Sequence, residues 1–251
     1  MKKVNSIALL TVLLFLLSAC AKKQYVIKNV AGYLVEMNSR YDGHADPGMF
    51  SLVQTYKTIL DTKMNDVIGE ATQTLAKSGP QNLLANFTTD AMLEYATGLW
   101  GTVDFAIVNY GGLRTTLNQG SVTVGDVYAI YVFENRLVLL ELSGKSVKQL
   151  FDGFVHKMGG FSKSVQLKIK DNAVESLTIG GKPLDEKATY RVVTIDFLAE
   201  GNDKMKALTQ ATQCIDSNIT LRDMMIEYIK KLTAENKKIY ATSDDRIEIK
   251  E

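Results

Sequence analysis

Residues 164–170 and 173–179 alternate apolar and polar side chains on either side of Asp171-Asn172, in the stretch SVQLKIK-DN-AVESLTI. A period of two on both flanks of a turn dipeptide reads as a β-hairpin, so an all-helical fold is excluded. Segments of a different period surround it. Phe50, Val53, Tyr56, Leu60, Met64 and Val67 recur at every third or fourth place from Met49 onward. Residues 82–99 repeat that spacing through Leu84, Phe87, Ala91 and Tyr95, and residues 144–158 set Val147, Leu150, Phe151, Phe154 and Val155 on one side. Thr220 and Asp223 form a capping box at the head of a further amphipathic helix over 220–232. Short runs rich in Val, Ile, Leu and Tyr at 103–109, 126–132, 136–143, 190–198 and 246–250 read as strands. Helices and strands intermix and hairpins are present. The expected class is therefore α+β (mixed α/β), with mixed sheets packed by helices.

The chain opens with MKK and an apolar run, IALLTVLLFLL, that ends at LSAC. That run is too short and wrongly flanked for a stable transmembrane helix and reads as a secretion signal over residues 1–19. Leu17-Ser18-Ala19-Cys20 resembles the lipobox of bacterial lipoproteins, which implies lipidation of Cys20. The expected organisation is a signal peptide at 1–19, a lipidated lead-in at 20–48 and one domain at 49–251. The expected location is a membrane-anchored lipoprotein of the periplasm or outer membrane.

Lys+Arg number 29 and Asp+Glu 28, so no basic footprint for nucleic acid exists. Cys20 and Cys214 are the two cysteines. With Cys20 lipidated, Cys214 has no disulfide partner and reads as a small, partly buried residue. A dinuclear metal centre needs clustered His, Asp and Asn ligands. Here the two histidines, His44 and His156, lie far apart without Asp-x-His or His-x-His neighbours. No Gly-x-Ser-x-Gly elbow and no Walker A loop occurs. No cofactor is expected in this chain.

Binding chemistry has more support. Three loops that follow or join strands carry polar groups beside aromatic or cationic ones. They are Asn109-Tyr110-Gly111-Gly112-Leu113-Arg114, then Val132-Phe133-Glu134-Asn135, then the stretch from Ile195 to Asp203 that includes Phe197. Converging, they would offer a planar base two ring faces, Phe133 and Phe197, each base–aromatic stack contributing about 1–3 kcal/mol. Asn135 would meet a base edge, Asp203 a pair of ribose hydroxyls and Arg114 an anion. The plain alternative for each phenylalanine is core packing, and for Gly111-Gly112 a strand-ending turn.

The stretches NYGGLR, LNQGSVTVGDVYAIYVFEN, LVLLELSGKSVKQLF and GKPLDEKATYRVVTIDFLAEGNDKM, taken together, resemble the C-terminal domain of the 5′-nucleotidase family. That pattern reads Asn-x-Gly-Gly-Ile-Arg, then Pro-Phe-x-Asn, then Asp/Asn-Phe/Tyr-Leu-Ala-x-Gly-Gly/Asn-Asp. The resemblance runs in order from about Tyr56 to Met205, and is strongest to the stand-alone lipoprotein version of Bacteroides-type bacteria. In the resembled enzymes a separate metallophosphoesterase domain holds two metal ions, and this domain holds the nucleoside between two rings.

The resemblance implies that Arg114 lies near a phosphate. It makes Phe133 and Asn135 one side of the base clamp, Phe197 the second ring and Asp203 the ribose carboxylate, with Asn109, Gly111 and Gly112 forming the turn beneath. Val132 replaces the family proline, Asn202 and Lys204 stand where glycines are usual, and Lys77 is the one cation where other members carry upstream arginines. The implied function is a lipid-anchored nucleoside- or nucleotide-binding subunit for a separate metallophosphoesterase, with divalent metals belonging to that partner. Two alternatives stay open: a hydrolase acting on its own, and a degenerate interaction domain.

Overall fold

The computed structural model describes residues 27–44, 46–77, 82–154, 159–244 and 246–250. The signal segment, Cys20 and His156 lie outside them. Six α-helices follow in chain order: α1 (Pro47–Met64), α2 (Leu83–Trp100), α3 (Val124–Ile130), α4 (Gly144–Phe154), α5 (Asp196–Ala199) and α6 (Leu221–Ala234). The strands are β1 (Val67–Ala71), β2 (Phe105–Asn109), β3 (Gly120–Thr123), β4 (Arg136–Ser143), β5 (Gly159–Phe161) and β6 (Val165–Lys170). They continue with β7 (Ala173–Ile179), β8 (Lys182–Pro183), β9 (Thr189–Ile195), β10 (Gln213–Thr220) and β11 (Ile247–Lys250). No described helix is long and apolar enough to cross a membrane.

The chain divides into a first unit ending at Ser51 and a second, Leu52–Glu251. In the first, residues 27–38 have no regular structure and Ser39–His44 makes a 3-10 helix. There the Arg40 guanidinium donates to Tyr41 Oη at 2.8 Å. Asp46 accepts the Met49 amide at 2.8 Å and so caps the start of α1. The apolar residues whose spacing makes α1 helical are exposed: none of its side chains is buried.

The second unit is built on a five-stranded sheet, in the order β10-β4-β9-β2-β5. Two smaller sheets accompany it, β11-β6-β7-β8 and the pair β1-β3. The expected hairpin at Asp171-Asn172 is β6–β7, and both turn residues adopt the positive φ that such a turn requires (50° and 58°). All five residues of β2 are buried. Phe151 of α4 packs on Phe105, Phe154 and Phe161 with ring centroids 5.2–5.5 Å apart. Each such ring, fully withdrawn from water, stabilises the fold by about 2–3 kcal/mol. The α+β class expected from the intermixed periods is the observed one.

Two segments depart from their expected form. Residues 126–132 are expected as a strand, yet α3 occupies Val124–Ile130. Thr123 Oγ1 accepts the Asp126 amide at 3.1 Å, and the Asp126 carboxylate accepts the Thr123 amide at 2.8 Å. This reciprocal cap satisfies two otherwise orphaned donors and overrides the β-branched content of the run. Val127 and Ile130 are buried while Tyr128 is exposed, as a helical period requires. The strand expected over 190–198 stops at Ile195, where Asp196 takes the next amide and opens the short helix α5.

Candidate binding site

The central sheet explains why three loops distant in sequence meet. β2 and β9 run parallel, with Phe105 beside Val192, so Asn109 and Ile195 end at the same edge of the sheet. β4 is antiparallel to β9, with Leu137 opposite Ile195, so the start of β4 reaches that edge as well. The loops after β2 and β9 and the loop before β4 therefore open on one side, outside the carboxyl ends of the parallel pair, where open mixed sheets commonly bind ligands.

These loops enclose a cleft of about 250 Å³ lined by Asn109, Gly111, Gly112, Arg114, Phe133, Asn135, Phe197 and Asp203. All eight residues singled out in the sequence stand around one cavity. Phe133 is 48% exposed and Phe197 38% exposed, so neither ring belongs to the core. No ring contact joins them among the described residues, and the space between is open.

Asn109 is buried at 4% exposure and forms the floor. Its Nδ2 donates to Asp203 Oδ2, which ties the β2 loop to the β9 loop. Its Oδ1 is buried without a protein partner. Gly112 is set by this amide: a Cβ there would stand 2.7 Å from Asn109 Oδ1. Tyr110–Gly112 form one 3-10 turn, and buried Leu113 pins its end. The Arg114 amide then donates to Ile130 O at 3.0 Å, at the end of α3.

Held at its backbone, the Arg114 side chain stays nearly free. Its Nη1 makes one long bond to Gly111 O, 3.3 Å, and its guanidinium lies 5.9 Å from the centroid of the Phe133 ring. Most of its five donors remain available to a planar anion. Lys77 directs its ammonium to the Arg114 carbonyl at 3.3 Å.

The loop carrying Phe133, with Val132 before the ring, is held from α6. Arg222, from the first turn of α6, is 8% exposed and lies 4.3 Å over the Tyr128 ring. It donates to Tyr131 O at 3.4 Å and to Glu134 Oε1 at 3.3 Å, one bond on either side of Phe133. The Leu221 amide donates to Asn135 O at 2.8 Å. At the loop base, Thr88 gives its single proton to Leu84 O, so Tyr131 Oη donates to Thr88 Oγ1 at 2.7 Å. Burial raises the Tyr131 phenol pKa strongly, which keeps it neutral in this role.

The opposite wall is fixed by Asn202, whose Nδ2 donates to Phe197 O at 2.8 Å. Asp203 and Lys204 follow in left-handed conformations, φ 50° and 64°. Cys214 is exposed on β10 rather than partly buried, because β10 is an edge strand with its alternate faces open. Packing around its sulfur, and then the Asp216 carboxylate, push the thiol pKa up, away from nucleophilic use.

Sequence reasoning did not find Arg222, nor the ion pairs of Arg136 with Asp196 and Asp216. The one local signal for the latter is adjacency, since Arg136 follows Asn135 and Asp196 precedes Phe197.

The clasp offers a flat, polar, anion-bearing ligand two solvent-facing rings, a buried amide floor and a guanidinium with most of its donors available. The family profile described as 5′-nucleotidase, C-terminal domain, matches residues 66–210, and the chain belongs to that family. It is 28% identical over 196 residues to Protein UshA of Yersinia enterocolitica, covering 74% of this chain and 35% of that protein. It is 26% identical over 132 residues to a 5′-nucleotidase of Vibrio cholerae, covering 51% of this chain and 24% of that one. The crystal structure of a 5′-nucleotidase precursor from Thermus thermophilus superposes with a TM-score of 0.69 at 26% identity, covering 80% of this chain and 42% of that chain. The chain thus spans less than half the length of these relatives.

Proposed function

We propose that this chain is a lipid-anchored nucleoside- or nucleotide-binding subunit that serves a separate metallophosphoesterase. The single observation that carries this reading is the shared cleft, where Phe133, Asn135, Phe197, Asp203 and Arg114 face one space. A base would lie between the rings of Phe133 and Phe197, with Asn135 at its edge. Asp203, already bonded to Asn109, would accept the ribose hydroxyls. Arg114 would meet the phosphate and hold it toward the partner's metals. Orientation of this kind lowers the barrier for a partner, because a fixed ester needs less reorganisation to react.

No group of three or more His, Cys, Asp or Glu side chains stands together among the described residues. The reading places divalent metals, and the hydrolytic step, on the partner. The anchor rests on the leader over residues 1–19 and on the lipobox resemblance at Cys20, and this reading puts the lipoprotein in the periplasm or at the outer membrane.

Calorimetric titration of the full chain in detergent with adenosine and with AMP tests the reading. Adenosine is expected to bind, AMP to bind more tightly, and Phe197→Ala to weaken both by about 1–3 kcal/mol. Absence of binding by either ligand would overturn the clamp and leave a degenerate domain.

A further inference from the structure

Past the last β4–β9 pair, Leu137 opposite Ile195, the two strands lead on to Arg136 and Asp196 and then to Asn135 and Phe197. The second of these pairs lines the cleft. The first is an ion pair: Arg136 Nε lies 3.3 Å from Asp196 Oδ2. The other oxygen of Asp196 accepts the Phe197 amide at 2.7 Å. One carboxylate therefore joins the residue adjoining Asn135 to the backbone of the second ring. A further bond, Arg136 Nη2 to Asp216 Oδ2 at 3.0 Å, fixes the guanidinium plane at a second point.

We infer that Arg136 and Asp196 are positioning residues, a strut that sets the gap between the Phe133–Asn135 wall and the Phe197 wall. This rests on the base-holding reading above. The Arg136 and Asp196 side chains keep 47% and 27% of their exposure, and an ion pair so open contributes little to global stability. Its position makes it local: it lies just past the last β4–β9 pair, between the segments that carry the two walls. Neither side chain lines the cleft, so the strut acts on ligand only through Asn135 and Phe197. It acts on the base and leaves the phosphate end alone.

The test uses the full chain in detergent with Arg136→Gln, Asp196→Asn and the double variant. The carboxamide introduced by Asp196→Asn keeps an oxygen for the Phe197 amide, so that variant removes charge with little loss of cap. Each single variant is expected to weaken adenosine binding about fivefold. AMP should weaken by the same factor, and the double variant should be no weaker than either single one, as two ends of one contact require. In the ligand-free protein, hydrogen exchange at the Phe197 amide is expected to quicken in Arg136→Gln, while the Val193 and Leu140 amides inside the sheet stay as in the wild type.

Unchanged exchange at Phe197 would overturn the strut whatever binding does. Faster exchange with unchanged adenosine affinity, or additive losses in the double variant, would overturn its positioning role. A wild-type chain that fails to bind adenosine would instead refute the base-holding reading, and the exchange measurement would still decide whether Arg136 restrains the Phe197 wall.

Discussion

Arg246 and Arg114 carry the same side chain into opposite circumstances. Arg246 is 3% exposed and has every direction filled. Its Nε and Nη2 donate to Asp244 at 2.6 Å, its Nη2 to Asp90 at 2.9 Å and its Nη1 to Phe161 O at 2.8 Å. Arg114 lies at the cleft with one long bond of 3.3 Å and a ring beside it. The buried guanidinium joins α2, β5 and the segment leading into β11, so it serves the fold. The open one keeps most of its donors free, as the proposed contact with a phosphate requires. Partner count at a guanidinium thus sets a structural arginine apart from the one proposed to bind, where sequence alone shows two arginines.

The largest expected effect comes from breaking the closed arginine. Arg246→Ala leaves Asp90 and Asp244 without their counter-charge and should cost about 3–5 kcal/mol in urea unfolding. pH sharpens the same point. At Asp244, burial acts to raise the carboxyl pKa, but the Arg246 bonds and charge outweigh it, and the net shift is downward. A depressed folded pKa gives stability that is full above the ordinary carboxylate range and is lost as pH falls through the folded value. The acid limb of the unfolding profile should therefore flatten in Arg246→Ala. An unaltered limb would remove Asp244 from the network.

Arg114→Ala should do the reverse. The melting temperature should hardly move, since the side chain has little to lose in the folded state. AMP affinity should drop by about 1.5–3 kcal/mol, the worth of hydrogen bonds to a charged group, while adenosine affinity stays. Equal losses for both ligands would place Arg114 on the base or ribose rather than the phosphate, and the contrast between the two arginines would lose its functional half.

Those two fates also mark what the sequence could show. Phe133, Asn135, Arg114, Phe197 and Asp203 sit in short contiguous motifs, so local order carries their identity, and the sheet edge brings the motifs together. Strand runs such as 136–143 and the Asp171-Asn172 hairpin are legible because period and turn chemistry are local as well. The contacts that support the site are long-range. Arg136 meets Asp196 and Arg222 meets Tyr131 across 60 and 91 residues. Arg246 meets Asp90 across 156. No spacing rule pairs such residues. The segment at 126–132 is different in kind: Thr123 and Asp126 spell a helix cap in the sequence, and the β-branched residues that follow them suggest a strand.

The smallest expected effect concerns the wall that Asp203 shares with Phe197. Lys204 holds φ at 64°, and Asp203 before it at 50°, so two successive L-residues stand in a region that Cβ–carbonyl crowding disfavours. Gly201, at φ 86°, meets the same demand without a Cβ. Lys204→Gly should relieve the crowding at its position and raise stability by about 0.5–1 kcal/mol, after the greater freedom that glycine gives the unfolded chain is deducted. Adenosine affinity should stay within about twofold, because Asp203 remains tied to Asn109, and differences under ~0.5 kcal/mol mark a site outside the binding contacts. A stability gain joined to a marked loss of affinity would show that Lys204 itself reaches the ligand. The free cation of the cleft would then be two cations, and Arg114 would share the phosphate.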